Sequence, residues 1–297
     1  MLRILIARNV KLFFKDKGLF FTSLITPMIL LVLYATFLGN VYRDSFETVF
    51  LPFGALEDEL LSGCVGAQLT SSLLAVCCVT VSFCSNFLMV QDKITGARND
   101  FAVTPLKNSL LALSYYLATV ISTLGVCLFA TALCFGYMAM SGWYLSLADC
   151  ALILLDVFLL VLFGTALSSI INFFLTSQGQ ISAVGSIVSS VYGFLCGAYM
   201  PISQFSDFLQ TLLSLLPGTY ATSLLRNHCM RGVFEELEIQ SYPAPLIEEM
   251  KQMMDCKIDF FGNTVSEGIM FAILIGTDLL LIGGYVLMNR KRACKRT

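Results

Sequence analysis

Two aspartates lie inside apolar runs of this sequence and are the side chains best placed to do chemistry there. Asp156 falls within the run 152–174, and Asp278 falls within the run 268–288. A charged carboxylate at the centre of a bilayer costs on the order of 3 kcal/mol, so an acid in such a position is usually paired or functional. Each aspartate could form a cation site, a proton relay or a substrate contact. Each could equally be a protonated or hydrogen-bonded acid that holds helices together.

Other catalytic chemistry has little support in the sequence. His228 is the only histidine, which leaves no histidine pair for a metal and removes most catalytic triads. No P-loop pattern occurs, so the chain lacks that device for binding ATP. We therefore predict that the chain is not an enzyme, that it has no catalytic residue and no metal site, and that it binds no cofactor itself.

The cysteines do not suggest a disulfide framework. Most of the 11 cysteines lie in apolar runs, where a free thiol behaves as a small apolar side chain. Cys229 and Cys256 lie in the one long polar segment, and a disulfide between these two is possible.

A polar stretch at 91–108 carries the densest set of candidate functional residues. It predicts a short helix parallel to the membrane, charged on one face, with Phe101 available for packing and a proline that resets the chain for the next span. The stretch is either a plain connector or a lever on which a soluble partner acts. The candidate residues for such contacts are Asp92, Lys93, Gly96, Arg98, Asp100 and Pro105.

The elements that must position these residues are membrane-spanning helices. Of the 297 residues, 57% are hydrophobic and only 13% are charged, whereas soluble chains are about a quarter charged. Crossing a bilayer takes about 20 apolar residues in a helix. The sequence therefore predicts an all-α integral membrane protein, a single transmembrane domain over 1–297, with six spans at 19–39, 61–89, 110–140, 152–174, 181–199 and 268–288.

The polar segments that flank the spans predict how the chain is oriented. Residues 1–17 alternate bases with apolar residues and predict an amphipathic helix in the membrane interface. The bases of this segment, of 91–108 and of the C-terminal tail place both termini on the cytoplasmic side. The acidic stretch 43–59 predicts an outer loop. The segment 201–267 predicts an extracellular or re-entrant region with short helices at 203–216 and 244–258.

Gly193 and Gly197 form a small-xxx-small pair in the fifth predicted span. Such a pair permits close approach of helices, either within one chain or between two copies.

Taken together, these features resemble the type-2 ABC transporter permeases, and the resemblance covers nearly the whole chain. A basic amphipathic segment precedes a first span that contains Pro27, and Lys93-x-x-Gly96 with Thr104-Pro105 is similar to the coupling region of that family. The family often has Glu-x-Gly-Thr-Leu-Glu there, whereas Gly96 is followed here by Ala-Arg-Asn-Asp. The runs 197–202 and 216–220, followed by Arg226, are similar to the family's segment after the fifth span.

The resemblance implies a permease that works with a separate ATPase subunit, on which ATP and Mg would bind. It also implies two permease copies, identical or closely related, that meet near spans one and five. The expected function is export of a hydrophobic or amphiphilic cargo, such as a drug, an antimicrobial peptide or a lipid-like molecule, across the cell membrane. The alternatives are a polysaccharide exporter of the same family, an ATP-independent channel or ion-coupled carrier that uses the two aspartates, and a sensor or assembly protein that transports nothing. No nucleic-acid partner is expected.

Overall fold

The computed structural model shows a bundle of long helices that surrounds one central helix. It describes residues 1–53, 56–102, 104, 106–260 and 262–294, without the side chains of residues 26, 35, 53, 102 and 291–294. Twelve α-helices occur in these residues: α1 (Leu2–Lys15), α2 (Lys17–Leu33), α3 (Gly39–Phe50), α4 (Asp58–Ile94), α5 (Ala97–Ala102), α6 (Asn108–Ser141), α7 (Leu147–Phe174), α8 (Gln178–Leu195), α9 (Asp207–Leu213), α10 (Pro217–Ile239), α11 (Ala244–Met253) and α12 (Glu267–Cys294). We name the two ends of the bundle the α5 end and the α11 end.

The first membrane helix is longer than the sequence predicts. Asp16 ends α1 and caps α2, because its side chain accepts a hydrogen bond from the Leu19 backbone N–H at 3.1 Å. A π-helical turn at Tyr34–Leu38 joins α2 to α3, so the chain stays helical from residue 17 to residue 50. The predicted outer loop at 43–59 is therefore wrong in its first half, because the acids there lie on the exposed face of α3 and the loop begins only after the helix ends.

Helix α4 is the centre of the bundle. Between Leu60 and Val90, every residue except Ser62 is buried. Helices α2, α6, α7, α8 and α10 all pack against it. One of its polar residues binds a neighbouring helix: the Asn86 side-chain amide donates to the hydroxyls of Ser168 and Ser169 on α7, at 2.9 Å each. Hydrogen bonds of this kind hold helices together where the hydrophobic effect between them is weak.

Local sequence signals define the starts of the next helices. Ser146 and Asp149 form a capping box at the start of α7, and Ser177 and Gln180 form another at the start of α8. Helix α8 has 18 residues, which corresponds to about 27 Å and approaches the thickness of a bilayer core.

The segment after α8 contains a long helix that the sequence did not predict. Pro217 occupies the first turn of α10, a 23-residue helix that packs between α4, α7 and α12. The helix predicted at 203–216 is shorter, only Asp207–Leu213, and the one predicted at 244–258 ends at Met253. A two-residue antiparallel hairpin, β1 (Asp259–Phe260) with β2 (Asn263–Thr264), leads into α12.

Five helical stretches of the described residues are long and apolar enough to cross a membrane. They are Lys17–Phe50, Asp58–Ile94, Asn108–Ser141, Leu147–Phe174 and Glu267–Arg290. The all-α membrane class is thus confirmed, whereas the predicted count of six spans is not. The predicted fifth span corresponds to α8, which begins with two glutamines in its first turn and is not among these five stretches.

Candidate functional site

The α5 end is organised around Asp92, a residue of the predicted coupling stretch near the end of α4. Arg8 of α1 donates two hydrogen bonds to its carboxylate, with Nη1–Oδ2 at 2.6 Å and Nη2–Oδ1 at 3.2 Å. Tyr115 of α6 donates a third, at 2.5 Å. The hydrogen bond to Asp92 raises the pKa of Arg8 above its usual value, although partial burial opposes this. A bidentate arginine–carboxylate pair also fixes the relative orientation of its two helices.

Arg8 also connects α1 to the short helix α5. The Arg8 guanidinium lies 5.1 Å from the centroid of the Phe101 ring, a cation–π contact. Four helices, α1, α4, α5 and α6, therefore meet at this one side chain. We call Arg8, Asp92, Phe101 and Tyr115 the Arg8 junction.

Lys93 connects the same stretch to α7. Its ammonium donates to the backbone carbonyls of Asn172, Phe173 and Leu175, at 2.7, 3.0 and 3.1 Å. These carbonyls lie at the C-terminal end of α7, where a positive charge is favoured by the helix dipole. Asp92 and Lys93 are adjacent in sequence but contact different helices: Asp92 binds α1 and α6, and Lys93 binds α7.

The other predicted coupling residues lie around α5. Gly96 has φ +82° in the turn between α4 and α5, a conformation that glycine adopts without strain. Arg98 is partly exposed and Asp100 is exposed on the outside of α5. Pro105 lies outside the described residues.

The two intramembrane aspartates have different surroundings. Asp156 of α7 contacts His228 of α10, with Oδ2–Nδ1 at 2.5 Å. Asp278 of α12 is buried, and neither carboxylate oxygen has a hydrogen-bond partner among the described residues. Asp278 interacts electrostatically with Tyr116 of α6, whose hydroxyl also has no hydrogen-bond partner among them. The structure therefore places the two acids in separate sites.

A buried ion pair that the sequence analysis missed organises the α11 end. Arg226 Nη1 of α10 lies 2.9 Å from Asp255 Oδ2, and Arg226 also donates to the Gly197 carbonyl. Asp255 in turn accepts from the backbone N–H groups of Ile202 and Ser203, at 2.5 and 3.1 Å. The pair thus joins α10, the end of α11 and the turn after α8. The available signal was Arg226 itself, the charged residue that follows the run 216–220.

The two glycines of the predicted pair do not lie on one helix. Helix α8 ends at Leu195, and Gly197 follows with φ +74° in the turn toward Ile202. A Cβ at Gly193 would lie 2.3 Å from the Tyr199 ring. The glycine therefore leaves room for this ring, which folds back onto α8 from beyond the end of the helix. Both glycines therefore serve packing within the chain. Cys229 and Cys256 are free, buried thiols.

Two apolar cavities flank the first membrane helix near its π-helical turn. One, of about 480 Å³, lies between α2, α4 and α6 and is lined by residues that include Leu31, Leu73 and Tyr137. The other, also about 480 Å³, lies between α2 and α8 and is lined by residues that include Leu33 and Phe194. Tyr34, the first residue of the π-helical turn, lines both. π-Helical turns inside α-helices occur frequently at functional sites.

Helices that could cross a bilayer, gathered around a central helix and joined at one end by a polar junction, are typical of a multi-pass membrane protein. Residues 1–229 match the ABC-2 type transporter family, so the chain belongs to that family. It is therefore a multi-pass membrane component of an ABC-2 transporter, a class that generally pairs with an ABC-type ATPase subunit and has no nucleotide site of its own. No individual curated protein matches the chain. Among the described residues, no group of three or more metal-ligating side chains is placed to hold a metal ion.

Proposed function

We propose that this chain is the permease subunit of an ATP-driven exporter and receives force from a separate ATPase at its α5 end. The Arg8 junction carries this proposal, because it joins the interfacial helix α1, the exposed helix α5 and two membrane helices at one side chain. A displacement of α5 therefore reaches α1, α4 and α6 directly. Through Lys93 it also reaches the end of α7.

The cargo is a hydrophobic or amphiphilic molecule, such as a drug, an antimicrobial peptide or a lipid-like compound. The two cavities beside α2 support this, because their linings are almost wholly apolar and each is large enough for a small molecule. A polysaccharide would instead require many hydrogen-bonding groups along its path.

Two copies of the chain form the working permease, either as a homodimer or with a close paralogue. Helices α2 and α8 support this arrangement, because both expose large apolar side chains on neighbouring faces. These side chains are Ile25, Met28, Ile29, Val32 and Leu33 on α2, and Ile187, Val191, Phe194 and Leu195 on α8. The complex resides in the cell membrane with both termini in the cytoplasm.

Co-purification tests the ATPase contact. An affinity-tagged chain should capture a soluble ABC-type ATPase that is co-expressed with it. Asp100→Lys reverses an exposed charge on α5 and should weaken capture at least several-fold, whereas Glu249→Lys, a matched change on exposed α11, should not. If both variants captured as much ATPase as the wild type does, α5 would not be the contact surface.

Cargo passage is tested separately, in vesicles that contain the permease and the ATPase. Gly136 lines the cavity between α2, α4 and α6, and a side chain there meets no atom within 4 Å. Gly136→Leu should lower ATP-dependent transport of a fluorescent amphiphilic dye while ATPase capture stays normal. Gly276→Leu adds the same side chain at an equally open position of α12 and should leave transport unchanged. Equal transport by the two variants would exclude this cavity as part of the path.

An ion-coupled carrier is the second candidate. It is favoured by Asp278, whose carboxylate has no hydrogen-bond partner in the part of the chain that the structure describes. In that case an ion gradient would drive transport without any ATPase, and Asp278→Asn would abolish it. ATP-dependent transport that survives Asp278→Asn would exclude this candidate.

A further inference from the structure

His228 and Asp156 form a buried acid–base pair that the proposed export mechanism does not use. Their contact atoms, His228 Nδ1 and Asp156 Oδ2, lie 2.5 Å apart, and both side chains are at most 2% exposed. The imidazole is stacked on the Phe271 ring of α12, with 5.9 Å between the ring centroids. The pair therefore lies where α7, α10 and α12 meet.

The other imidazole nitrogen faces a route to water. His228 Nε2 lies 3.9 Å from Glu267 Oε2, and the Glu267 side chain, at the start of α12, is 45% exposed. Arg231, one turn further along α10, lies 3.2 Å from Glu267 and 3.3 Å from Asp149 of α7. A continuous set of polar groups thus leads from the surface at the α11 end to the buried Asp156. We call Asp149, Asp156, His228, Arg231 and Glu267 the His228 cluster.

The cluster carries more negative than positive charge. It holds three carboxylates and one guanidinium, so it has a formal charge of −2 with a neutral imidazole and −1 with an imidazolium. Asp156 Oδ1 is buried and has no hydrogen-bond partner among the described residues. Unpaired negative charge in a buried position is costly and favours the uptake of a cation.

No other described group compensates this charge. Helix α4 packs against α10 and carries no charged residue between Leu60 and Gln91. On the α11 side, Lys251 and Lys257 pair with Glu248, and Arg226 pairs with Asp255. Two thiols are further titratable neighbours: Cys229 interacts electrostatically with Asp156, and Cys150 interacts with Asp149. Neither thiol can supply positive charge.

We propose that the His228 cluster is a proton-binding site, in which His228 Nε2 takes up a proton from water by way of Glu267 while the Nδ1–H of the same ring donates to Asp156. The resulting imidazolium lies between two carboxylates on different helices and holds α10 against α7 and α12. This site makes the packing of α10 respond to the pH of the compartment that Glu267 faces. The inference goes beyond the proposed function and requires no ATPase for its test.

The chain contains a single histidine, so one labelled residue reports on the site directly. The intact protein, purified in detergent with ¹⁵N-labelled histidine, would be titrated between about pH 5 and pH 9 and followed by NMR. The two ¹⁵N shifts distinguish the two neutral tautomers from the imidazolium. We expect one reversible titration, with Nδ1 protonated throughout because it donates to Asp156.

Two variants make the result specific to the cluster. Asp156→Asn should move the titration midpoint to lower pH, since it removes a negative charge in contact with the ring. Glu267→Gln should move it in the same direction by less, because this carboxylate is more distant and partly solvated. Glu238→Gln removes an exposed acid from the same helix and should leave the midpoint unchanged.

Three outcomes would overturn the proposal. The first is an imidazole that does not titrate in the folded protein, and the second is a midpoint that Asp156→Asn and Glu267→Gln leave in place. The third comes from thermal unfolding, which distinguishes a histidine that stabilises the fold by binding a proton from one that only contributes packing. Relative to His228→Gln, the wild type should lose stability as pH rises through the midpoint, because the proton is released there. If the difference in stability between the wild type and His228→Gln did not change with pH, proton binding at His228 would not stabilise the fold.

Discussion

At the residue scale, Asp92 shows how one side chain can serve several helices. Its two oxygens accept three hydrogen bonds from residues that are 84 and 23 positions away in sequence, Arg8 and Tyr115. Its own backbone belongs to the last turns of α4, directly before the turn to α5. Loss of one donor therefore removes a hydrogen bond and also weakens the contact between two helices.

Arg8→Gln should lower the free energy of unfolding by about 1 to 2 kcal/mol, because Asp92 then keeps one strong donor and loses its charged partner. The same variant should lower ATP-driven transport more than its stability loss explains, since α5 and α1 would no longer move together. Lys11→Gln removes an exposed base from the same helix and is the control. Thermal unfolding and vesicle transport measure the two effects. If Arg8→Gln and Lys11→Gln lowered transport equally, the Arg8 junction would have no specific role in transport.

The Arg226–Asp255 pair predicts a larger effect, because both groups are buried. Asp255→Asn leaves an uncompensated buried guanidinium and should destabilise the protein by about 3 to 5 kcal/mol. The double variant Arg226→Met with Asp255→Asn removes both charges and should recover part of that loss. Asp259→Asn, at an exposed position of the hairpin, should have little effect. A double variant less stable than Asp255→Asn alone would contradict this interpretation.

At the scale of elements, α10 is the helix that gives the α11 end its structure. It brings Arg226, His228 and Arg231 to three different partners on neighbouring elements. It also approaches the connection between α6 and α7 closely, because Gly232 lies against the backbone of Tyr144. An added Cβ there would lie 1.7 Å from the Tyr144 carbonyl oxygen.

Gly232→Ala should therefore displace α10 and destabilise the protein by at least about 1 to 3 kcal/mol, the usual cost of overpacking. The proper comparison is Gly283→Ala on α12, where a Cβ meets nothing within 4 Å. Thermal unfolding in detergent would show the difference. If the two variants were equally stable, the contact between α10 and the connection from α6 to α7 would accommodate the added Cβ without loss of stability.

The same helix shows where sequence reasoning reaches its limit. The spans around Asp156 and Asp278 follow from apolar runs, and the short helix before Pro105 follows from charge spacing. The helix predicted at 203–216 stops before Pro217, but proline is equally suited to a first helical turn, and α10 begins there. The pairing of Asp156 with His228, 72 positions apart, depends on this helix and on three-dimensional packing, which no local pattern encodes.

At the scale of the whole molecule, the paths of α8 and α12 bear on the number of membrane crossings. Helix α8 follows Leu175, which Lys93 contacts at the α5 end, and it leads to Gly197, which Arg226 contacts at the α11 end. Helix α12 returns in the opposite direction, since the Tyr285 hydroxyl contacts the Ala112 carbonyl of α6 at 3.4 Å. The N-terminal helix and the last turns of α12 thus lie at the same end. From this arrangement we predict six crossings, in which α8 is added to the five stretches that are apolar enough to cross a membrane.

Tag accessibility in intact cells tests that topology. A tag at the N-terminus and a tag at the C-terminus should both be reached by antibody only after permeabilisation, because the bases of α1 and of the tail favour the cytoplasm. A tag inserted at Gly262, in the exposed turn of the hairpin, should be reached without permeabilisation. If α8 did not cross, the two termini would lie on opposite sides, and one terminal tag would be accessible in intact cells. If all three tags were on one side, α12 could not cross either, and the assignment of the α11 end to the outer face would fail.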